Sequence, residues 1–176
     1  MLLTARVTAA IAASAVLLTA CGTAPAQPSA TTAGGQAPAS AVPSASRFTA
    51  KTLDGQEFTS DTLKGKPVVL WFWAPWCPKC RSEAPHVKAA AAAYRDVTFV
   101  GVASLDDEAA MKEFVQQTGT GGITHLSDEK GAVWAAFGVA SQSTFLFMRP
   151  DGSTTKATGP LGGEELTAQV EKLRTG

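Results

Sequence analysis

Two cysteines, Cys77 and Cys80, lie three residues apart and are the residues of this sequence best suited to chemistry. Such a pair can bind a metal, hold a covalent haem or form a reversible disulfide. A zinc site needs about four ligands, usually including a second pair of cysteines or histidines. The third cysteine, Cys21, lies far from the pair, and His86 and His125 are isolated in the sequence. The spacing therefore predicts no metal site.

Covalent haem attachment is also disfavoured by the residue that follows the pair. It requires a histidine directly after the second cysteine, and Arg81 stands there. Nothing in the sequence opposes a reversible disulfide between Cys77 and Cys80. We interpret the pair as a redox-active disulfide that needs no bound cofactor, because the electrons reside in the two sulfur atoms.

The residues around the pair predict which sulfur reacts first. If Cys77 caps a helix, Pro78 suits the first helical position, where its missing N–H would have no partner anyway. Cys77 then lies beside unpaired backbone N–H groups and the positive end of the helix dipole, which favour the thiolate. Lys79 adds a positive charge. Cys80 follows one turn later, where it can resolve a mixed disulfide formed by Cys77.

Two elements must position the pair. The segment Pro67–Trp73 is apolar at every position, which is typical of a strand buried on both faces of a sheet. A helix is expected from Cys77 to about Tyr94. The cysteines therefore lie at a strand-to-helix junction.

Further strands and helices alternate along the chain, as in an α/β domain. Gly119 to Gly122 break the pattern, and an antiparallel pair lies near the end. We predict an α/β fold with a central mixed β-sheet flanked by helices and an N-terminal β-hairpin extension. The expected strands are Phe48–Thr52, Glu57–Phe58, Val97–Ala103, Thr144–Met148 and Thr154–Ala157, and the helices are Asp106–Thr118, Gly131–Phe137 and Glu164–Arg174, with a helical turn at 61–65.

From residue 47 to residue 174 the chain resembles the thioredoxin superfamily, and within it the exported TlpA/ResA/DsbE-like (DsbF-like) thiol–disulfide oxidoreductases. The strongest match is the segment 72–80, Phe-Trp-Ala-Pro-Trp-Cys-Pro-Lys-Cys, followed by Glu83-Ala84-Pro85. Weaker matches follow in the same order at 128–131, 137–139, 144–147 and 151–152. The resemblance implies a thioredoxin-like fold and exchange of a Cys77–Cys80 disulfide with thiols or disulfides of exported proteins.

The resemblance also assigns roles to neighbours of the pair. The buried Asp of cytoplasmic thioredoxins is replaced by Trp71 here, and in the TlpA-like branch a Glu at the position of Glu83 is the substitute. Residues i and i+3 share a helix face, so Glu83 is predicted to handle the proton of Cys80. The alternative is a surface charge. Trp76, beside the pair, is expected to present a flat apolar contact to partners, or merely to cover the sheet.

One departure from the family concerns the loop that pairs with substrate, at Gln142, Ser143 and Thr144. Thioredoxin-like folds carry a cis-proline there, and this chain has Ser143 instead. A cis bond before a residue other than proline costs about 3–4 kcal/mol relative to trans. We therefore expect a trans Gln142–Ser143 bond with a shifted loop; the alternative is a strained cis bond.

The first 46 residues differ from the rest, because Arg6 is the only charged residue before Arg47. Residues 1–20 are predicted to be a signal peptide: Arg6 precedes a 14-residue apolar stretch, too short to span a bilayer. The end of that stretch, Leu18-Thr19-Ala20-Cys21, resembles a bacterial lipobox and predicts lipidation of Cys21. Residues 21–46 are predicted to form a flexible tether, because Ala, Pro, Ser, Thr and Gly supply 22 of the 25 residues after Cys21. The folded domain is then 47–176.

Composition excludes other classes of protein. The 176 residues carry 15 basic and 15 acidic side chains, a balance unlike that of nucleic-acid binders or acidic disordered chains. We predict a lipid-anchored, extracytoplasmic oxidoreductase that exchanges disulfides with exported proteins and a membrane redox partner, as an oxidant. The alternatives are a reductase of exported proteins or apocytochrome c, a peroxidase, and a non-catalytic lipoprotein with an inert disulfide.

Overall fold

A computed structural model describes residues 47–175, and the expectations for residues 1–46 lie outside this part of the chain. Seven strands form one sheet. Their bounds are β1 Thr49–Thr52, β2 Glu57–Thr59, β3 Val68–Trp73, β4 Thr98–Ala103, β5 Thr124–Ser127, β6 Thr144–Met148 and β7 Thr154–Thr158.

Four α-helices and one short 3₁₀-helix (Ser60–Leu63) complete the described part. The α-helices are α1 Pro78–Ala93, α2 Glu108–Thr118, α3 Ala132–Ala136 and α4 Gly163–Thr175. Local chemistry sets the ends of α2: the Asp107 side chain accepts a hydrogen bond from the backbone N–H of Ala110, and Gly119 ends the helix in the left-handed conformation. Within residues 47–175 no helix is both long and apolar enough to cross a bilayer.

The sheet is mixed, with the strand order β2-β1-β5-β4-β3-β6-β7. Strands β3, β4 and β5 run parallel to one another. The flanking pairs are antiparallel, and the β1–β2 hairpin extends the sheet from its β5 side. The predicted mixed α/β fold with its N-terminal hairpin is confirmed.

The core explains why β3 is apolar at every position. Its side chains alternate between the two faces of the sheet, and all six are buried. Val69, Trp71 and Trp73 pack with buried residues of α1, α2 and α4. Val68, Leu70 and Phe72 pack on the other face, with buried residues of α3 and partly buried residues of the hairpin. An interior strand with helices on both faces of its sheet therefore places Cys77 just beyond the strand's C-terminal end.

The sequence pattern missed one strand, β5. Its four residues, Thr124–Ser127, include one strongly apolar residue, Leu126, and so show no apolar run. They also follow the glycine-rich segment 119–122, which interrupts the local pattern. The strand exists because it has partners on both sides: β4 pairs with it in parallel and β1 in antiparallel orientation. The local sequence does not show that these two strands pair with residues 124–127.

Candidate active site

The Cys77–Cys80 pair lies where β3 gives way to α1. Cys77 is the N-cap residue of α1 and Pro78 is its first residue, as predicted. The backbone N–H of Cys80 donates to Cys77 Sγ at 3.1 Å. The two cysteines form a disulfide with their Cα atoms 5.3 Å apart. Cys77 is 3% exposed and Cys80 is fully buried, so Cys77 is the sulfur on the solvent side.

A donor aimed at Cys77 Sγ has a chemical consequence once the disulfide opens. The first N–H groups of a helix have no partner within the helix, and together with the helix dipole they favour negative charge. Cys77 Sγ already accepts one of these N–H groups. The arrangement therefore stabilises a thiolate on Cys77 more than on Cys80, which lies one turn into the helix.

An exposed apolar surface adjoins the pair. Trp76 is 55% exposed and Leu105 is 50% exposed, and these are the two large apolar side chains most exposed in the described residues. The Trp76 indole N–H donates to the Leu105 carbonyl at 3.1 Å, which joins the two residues. Leu105 has a φ of 65°, a conformation rare for residues with a branched side chain. Lys79 is also exposed. Leu105 was not predicted from sequence, because a single leucine after β4 carries no signal.

Glu83 is buried, and the alternative of a surface charge is wrong. It is 1% exposed. Its carboxylate accepts from the Trp71 indole N–H at 3.0 Å, from the Leu161 backbone N–H at 2.8 Å and from the Ser143 hydroxyl. Burial raises the pKa of Glu83, and the three hydrogen bonds partly oppose that rise. A carboxyl group with a raised pKa, one helical turn from Cys80, can exchange a proton at a higher pH than an exposed glutamate.

Trp71 takes a part in this arrangement that the sequence did not reveal. Its indole N–H donates a hydrogen bond to Glu83. Trp71 lies on β3 and Glu83 on α1. The hydrogen bond therefore links β3 to α1, the strand and the helix between which Cys77 lies.

The loop before β6 corrects one expectation. The Gln142–Ser143 bond is cis, so the expected trans bond with a shifted loop is wrong. Ser143 is fully buried, its hydroxyl donates to Glu83, and its carbonyl accepts from the Gly159 N–H at 2.9 Å. These tertiary contacts, from residues 16 or more positions away, fix the loop, and local sequence could not show them. Gln142 is half-buried, and the Thr144 hydroxyl donates to the Ser141 carbonyl at 2.8 Å.

The two histidines lie on different elements. His86 is exposed on α1, whereas His125 is buried on β5. Burial lowers the pKa of His125 to about 4. Within residues 47–175 no three His, Cys, Asp or Glu side chains are grouped so that they could hold a metal ion.

Comparisons with known proteins agree with this geometry. A family model described as the AhpC/TSA family matches residues 42–158. The soluble secreted antigen MPT53 of Mycobacterium tuberculosis (strain ATCC 25618 / H37Rv) is 44% identical over 130 residues, which are 72% of this chain and 75% of the relative. The thiol-disulfide oxidoreductase ResA of Bacillus anthracis is 28% identical over 129 residues, 72% of either chain. The solved structure of MTB dsbF, in its mixed oxidized and reduced forms, matches with a TM-score of 0.72 and 49% identity, covering 75% of this chain and 98% of that one.

Proposed function

We propose that this chain, which belongs to the AhpC/TSA family of thioredoxin-like proteins and is a thiol–disulfide oxidoreductase, works as an oxidant of exported protein thiols. The observation that carries the direction is the position of Cys77. Its sulfur caps α1 and accepts the Cys80 N–H. A thiolate that is stabilised in this way stabilises the reduced protein, and a stable reduced form makes the disulfide a stronger oxidant.

The proposed reaction has two exchange steps that balance in electrons and protons. A substrate thiolate attacks Cys77 Sγ, a mixed disulfide forms, and the Cys77–Cys80 bond breaks. Cys80 leaves as a thiolate and takes a proton. A second substrate thiolate then attacks the substrate sulfur of the mixed disulfide, and Cys77 leaves as a thiolate. The substrate loses two electrons as its disulfide forms, and the protein gains them as a dithiol.

Glu83 supplies the proton that Cys80 needs in this scheme. It lies three residues after Cys80 on α1, so both side chains share a face of the helix. Burial raises the pKa of Glu83, so at a given pH its carboxyl group is protonated to a greater extent than that of an exposed glutamate. In the reverse direction the carboxylate accepts the proton of Cys80 and releases the thiolate that resolves the mixed disulfide.

The surface made by Trp76 and Leu105 is proposed to receive the substrate protein. Both side chains are exposed, and Trp76 precedes Cys77 directly. Reduced, unfolded chains expose apolar side chains near their cysteines, and two exposed apolar groups beside the reactive sulfur can bind them. The loop Gln142–Thr144 is proposed to lie along the substrate backbone, as the resemblance implies. Lys79 adds positive charge at the same end of the molecule.

The location proposed for this reaction is the outer side of the cell membrane. Residues 1–20 are proposed as a signal peptide, and Cys21 as a lipidated residue followed by a tether to residue 46. The relative MPT53 is described as soluble and secreted, which supports export. A membrane-held partner with an oxidised disulfide would restore the Cys77–Cys80 bond. Replacement of Cys21 by serine should release the protein into the medium, and retention in the membrane fraction would contradict the anchor.

The direction is tested by offering the purified protein both kinds of substrate. We expect catalysed oxidation of reduced, unfolded ribonuclease and little acceleration of insulin reduction, with Cys77→Ala inactive in either assay. The Cys77–Cys80 potential against glutathione should lie nearer about −120 mV than about −270 mV, the values of a strong oxidant and of a reductant in this superfamily. Insulin or apocytochrome c reduction with a low potential would replace the proposal by a reductase. Peroxide consumption would indicate a peroxidase, and inactivity in every assay an inert disulfide.

A further inference from the structure

The carboxylate of Glu83 is held by donors from three separate parts of the chain. One oxygen, Oε2, accepts from the Trp71 indole on β3 and from the Ser143 hydroxyl before β6. The other, Oε1, accepts from the backbone N–H of Leu161, which precedes α4. The described residues thus provide a donor set, assembled by the fold around a single buried acid.

The three donors differ in what they can do when Glu83 gains a proton. An indole N–H and a backbone N–H only donate hydrogen bonds, whereas a serine hydroxyl can also accept one. A protonated carboxyl group needs an acceptor for its own O–H. Of the three groups bound to Glu83, only Ser143 Oγ can take that hydrogen bond. The two N–H groups can still donate to a carboxyl oxygen that stays unprotonated, but neither can accept the carboxyl O–H.

The surroundings leave room for this pair and little else. A Cβ atom added at Gly159 would collide with Glu83 Oε1 and Ser143 Oγ. The Gly159 N–H donates to the Ser143 carbonyl at 2.9 Å, so the residue that follows β7 also holds the Ser143 backbone. Both side chains are buried, which shields their contact from water.

We propose that Ser143 is a positioning residue for proton transfer: its hydroxyl orients the Glu83 carboxyl group and satisfies it in both protonation states while it exchanges a proton with Cys80. Proline, which the family carries at this position, has no such group. This inference deepens the proposed oxidoreductase function and rests on it. Serine in place of proline thus supplies a hydroxyl group that binds the carboxyl group of Glu83.

Few titratable groups act on Glu83. Cys80 shares its helix face, and His86, also on α1, favours the ionised form through its charge. The groups that face Glu83 from β3, from the loop before β6 and from the segment before α4 are Trp71, Ser143 and Leu161, none of which titrates in the acid range. The hydroxyl of Ser143 therefore acts on Glu83 without a competing charge from those three elements.

The experiment compares wild-type protein with Ser143→Ala in two measurements. The first follows the ¹³C signal of the Glu83 carboxyl carbon against pH in the reduced protein. The second follows the resolving step: reduced protein reacts with oxidised glutathione, Cys77 forms a mixed disulfide, and Cys80 displaces glutathione as its proton passes to Glu83. Ser104→Ala is the matched control, because Ser104 is also fully buried and its hydroxyl also donates a hydrogen bond, to the Asp128 carbonyl.

In Ser143→Ala we expect Glu83 to titrate at higher pH, because the carboxylate loses a charge-assisted hydrogen bond. The resolving step should be about tenfold slower at the acid end of the profile, the scale set by one strong hydrogen bond. The rates of variant and wild type should converge as the pH rises, because hydroxide then removes the proton of Cys80 and the thiol no longer needs Glu83 as a base. Ser104→Ala should leave the Glu83 titration and the pH profile of the resolving step unchanged.

Two results would overturn the inference, and they differ from a failure of the proposed function. An unchanged Glu83 titration in Ser143→Ala would show that the hydroxyl does not act on the acid. An equal loss of rate at all pH values, shared by Ser104→Ala, would reduce Ser143 to a packing residue. A wild-type protein that exchanges no disulfide would instead refute the proposed function, whatever the titration shows.

Discussion

At the scale of single residues, the site places opposite demands on neighbouring side chains. Cys77 needs donors that stabilise a negative sulfur, and the start of α1 provides them. Glu83 must be able to gain and lose a proton, and burial moves its pKa upward towards the range where it can. Trp76 and Leu105 must stay in contact with solvent although they are apolar. The last two demands cost stability, and all three side-chain groups lie near the end of the sheet where β3 stops.

Leu105 offers a test of the proposed substrate surface. Its positive φ costs about 1–2 kcal/mol for most residues, whereas asparagine tolerates that conformation. We therefore expect Leu105→Asn to be at least as stable as the wild type in urea unfolding. With reduced, unfolded ribonuclease, kcat/KM should fall about three- to tenfold, because about half of a leucine side chain's burial energy is lost.

The control for Leu105→Asn is a small dithiol, dithiothreitol, which needs no apolar surface. Its rate with the oxidised protein should be the same for the variant and the wild type. If both substrates slow equally, Leu105 acts on the disulfide and not on substrate binding. If neither slows, the exposed surface has no part in recognition.

What the sequence predicts at this scale depends on how far each contact reaches along the chain. The cap at Cys77 and the shared helix face of Cys80 and Glu83 are local, so spacing alone predicts them. The bond from Ser143 to Glu83 spans 60 residues, and that from Leu161 spans 78. Contacts of that range depend on the tertiary fold, and for this reason the cis bond before Ser143 was not predicted.

At the scale of elements, the same distinction separates the strands that were predicted from the one that was missed. Strand β3 is predicted from six consecutive apolar residues, which it has because both of its faces are covered. Strand β5 has His125 in its interior, and it is a strand because β4 and β1 pair with it. A buried histidine inside a strand looks polar in sequence and is part of the core in the structure.

His125 makes the stability of the sheet depend on pH. Its Nε2 lies 3.1 Å from the Thr120 carbonyl, which can only accept, so the neutral ring carries its proton on Nε2. Nδ1 has no partner among the described residues, and the ring packs edge-on against Trp73. Protonation of Nδ1 would bury a charge, which is why the pKa falls to about 4.

The sign of the effect follows from where the proton binds. Between pH 6.5, the ordinary value, and about 4, the unfolded chain binds a proton at His125 and the folded chain does not. Stability is therefore lost as the pH falls through this window, by about 3 kcal/mol at the lower end. The raised pKa values of Glu83 and Asp128 act in the opposite sense, so the contribution of His125 has to be isolated by a variant.

We expect His125→Gln to flatten this pH dependence. The free energy of unfolding of wild type and variant, measured in urea at several pH values from 7 to about 4, should converge as the pH falls. His86→Gln is the matched control, because His86 is exposed, and it should follow the wild type. A variant whose curve stays parallel to that of the wild type would show that His125 is not the group that titrates.

At the scale of the whole molecule, the sheet acts as a rigid support for one reactive end. Strands β3 and β4 run parallel, and their carboxyl ends lead to Cys77 and to Leu105, respectively. The three helices α1, α2 and α4 cover one face, and α3 and the hairpin cover the other. The disulfide adds little to this frame, because a ring closed between residues three apart constrains the unfolded chain only slightly.

Because the disulfide contributes little to stability, we expect its reduction to stabilise the fold. Opening the disulfide removes a weak constraint and frees Cys77 to become a thiolate at the start of α1. By linkage, whatever stabilises the thiolate in the folded chain alone adds to folding stability. We expect calorimetry at neutral pH to give a higher Tm for the reduced than for the oxidised protein. The gain should vanish in acid, where Cys77 is protonated in both states.

Cys77→Ala separates this electrostatic effect from the loss of the ring. The variant has neither a disulfide nor a thiolate at the cap, so its Tm should lie below that of the reduced wild type and should not fall further as the Cys77 thiolate is lost in acid. Cys80→Ser keeps the capping thiolate and should resemble the reduced wild type. If the oxidised protein proves the more stable, the cap does not hold negative charge, the disulfide is a weak oxidant, and the reductase direction becomes the better account of the chain.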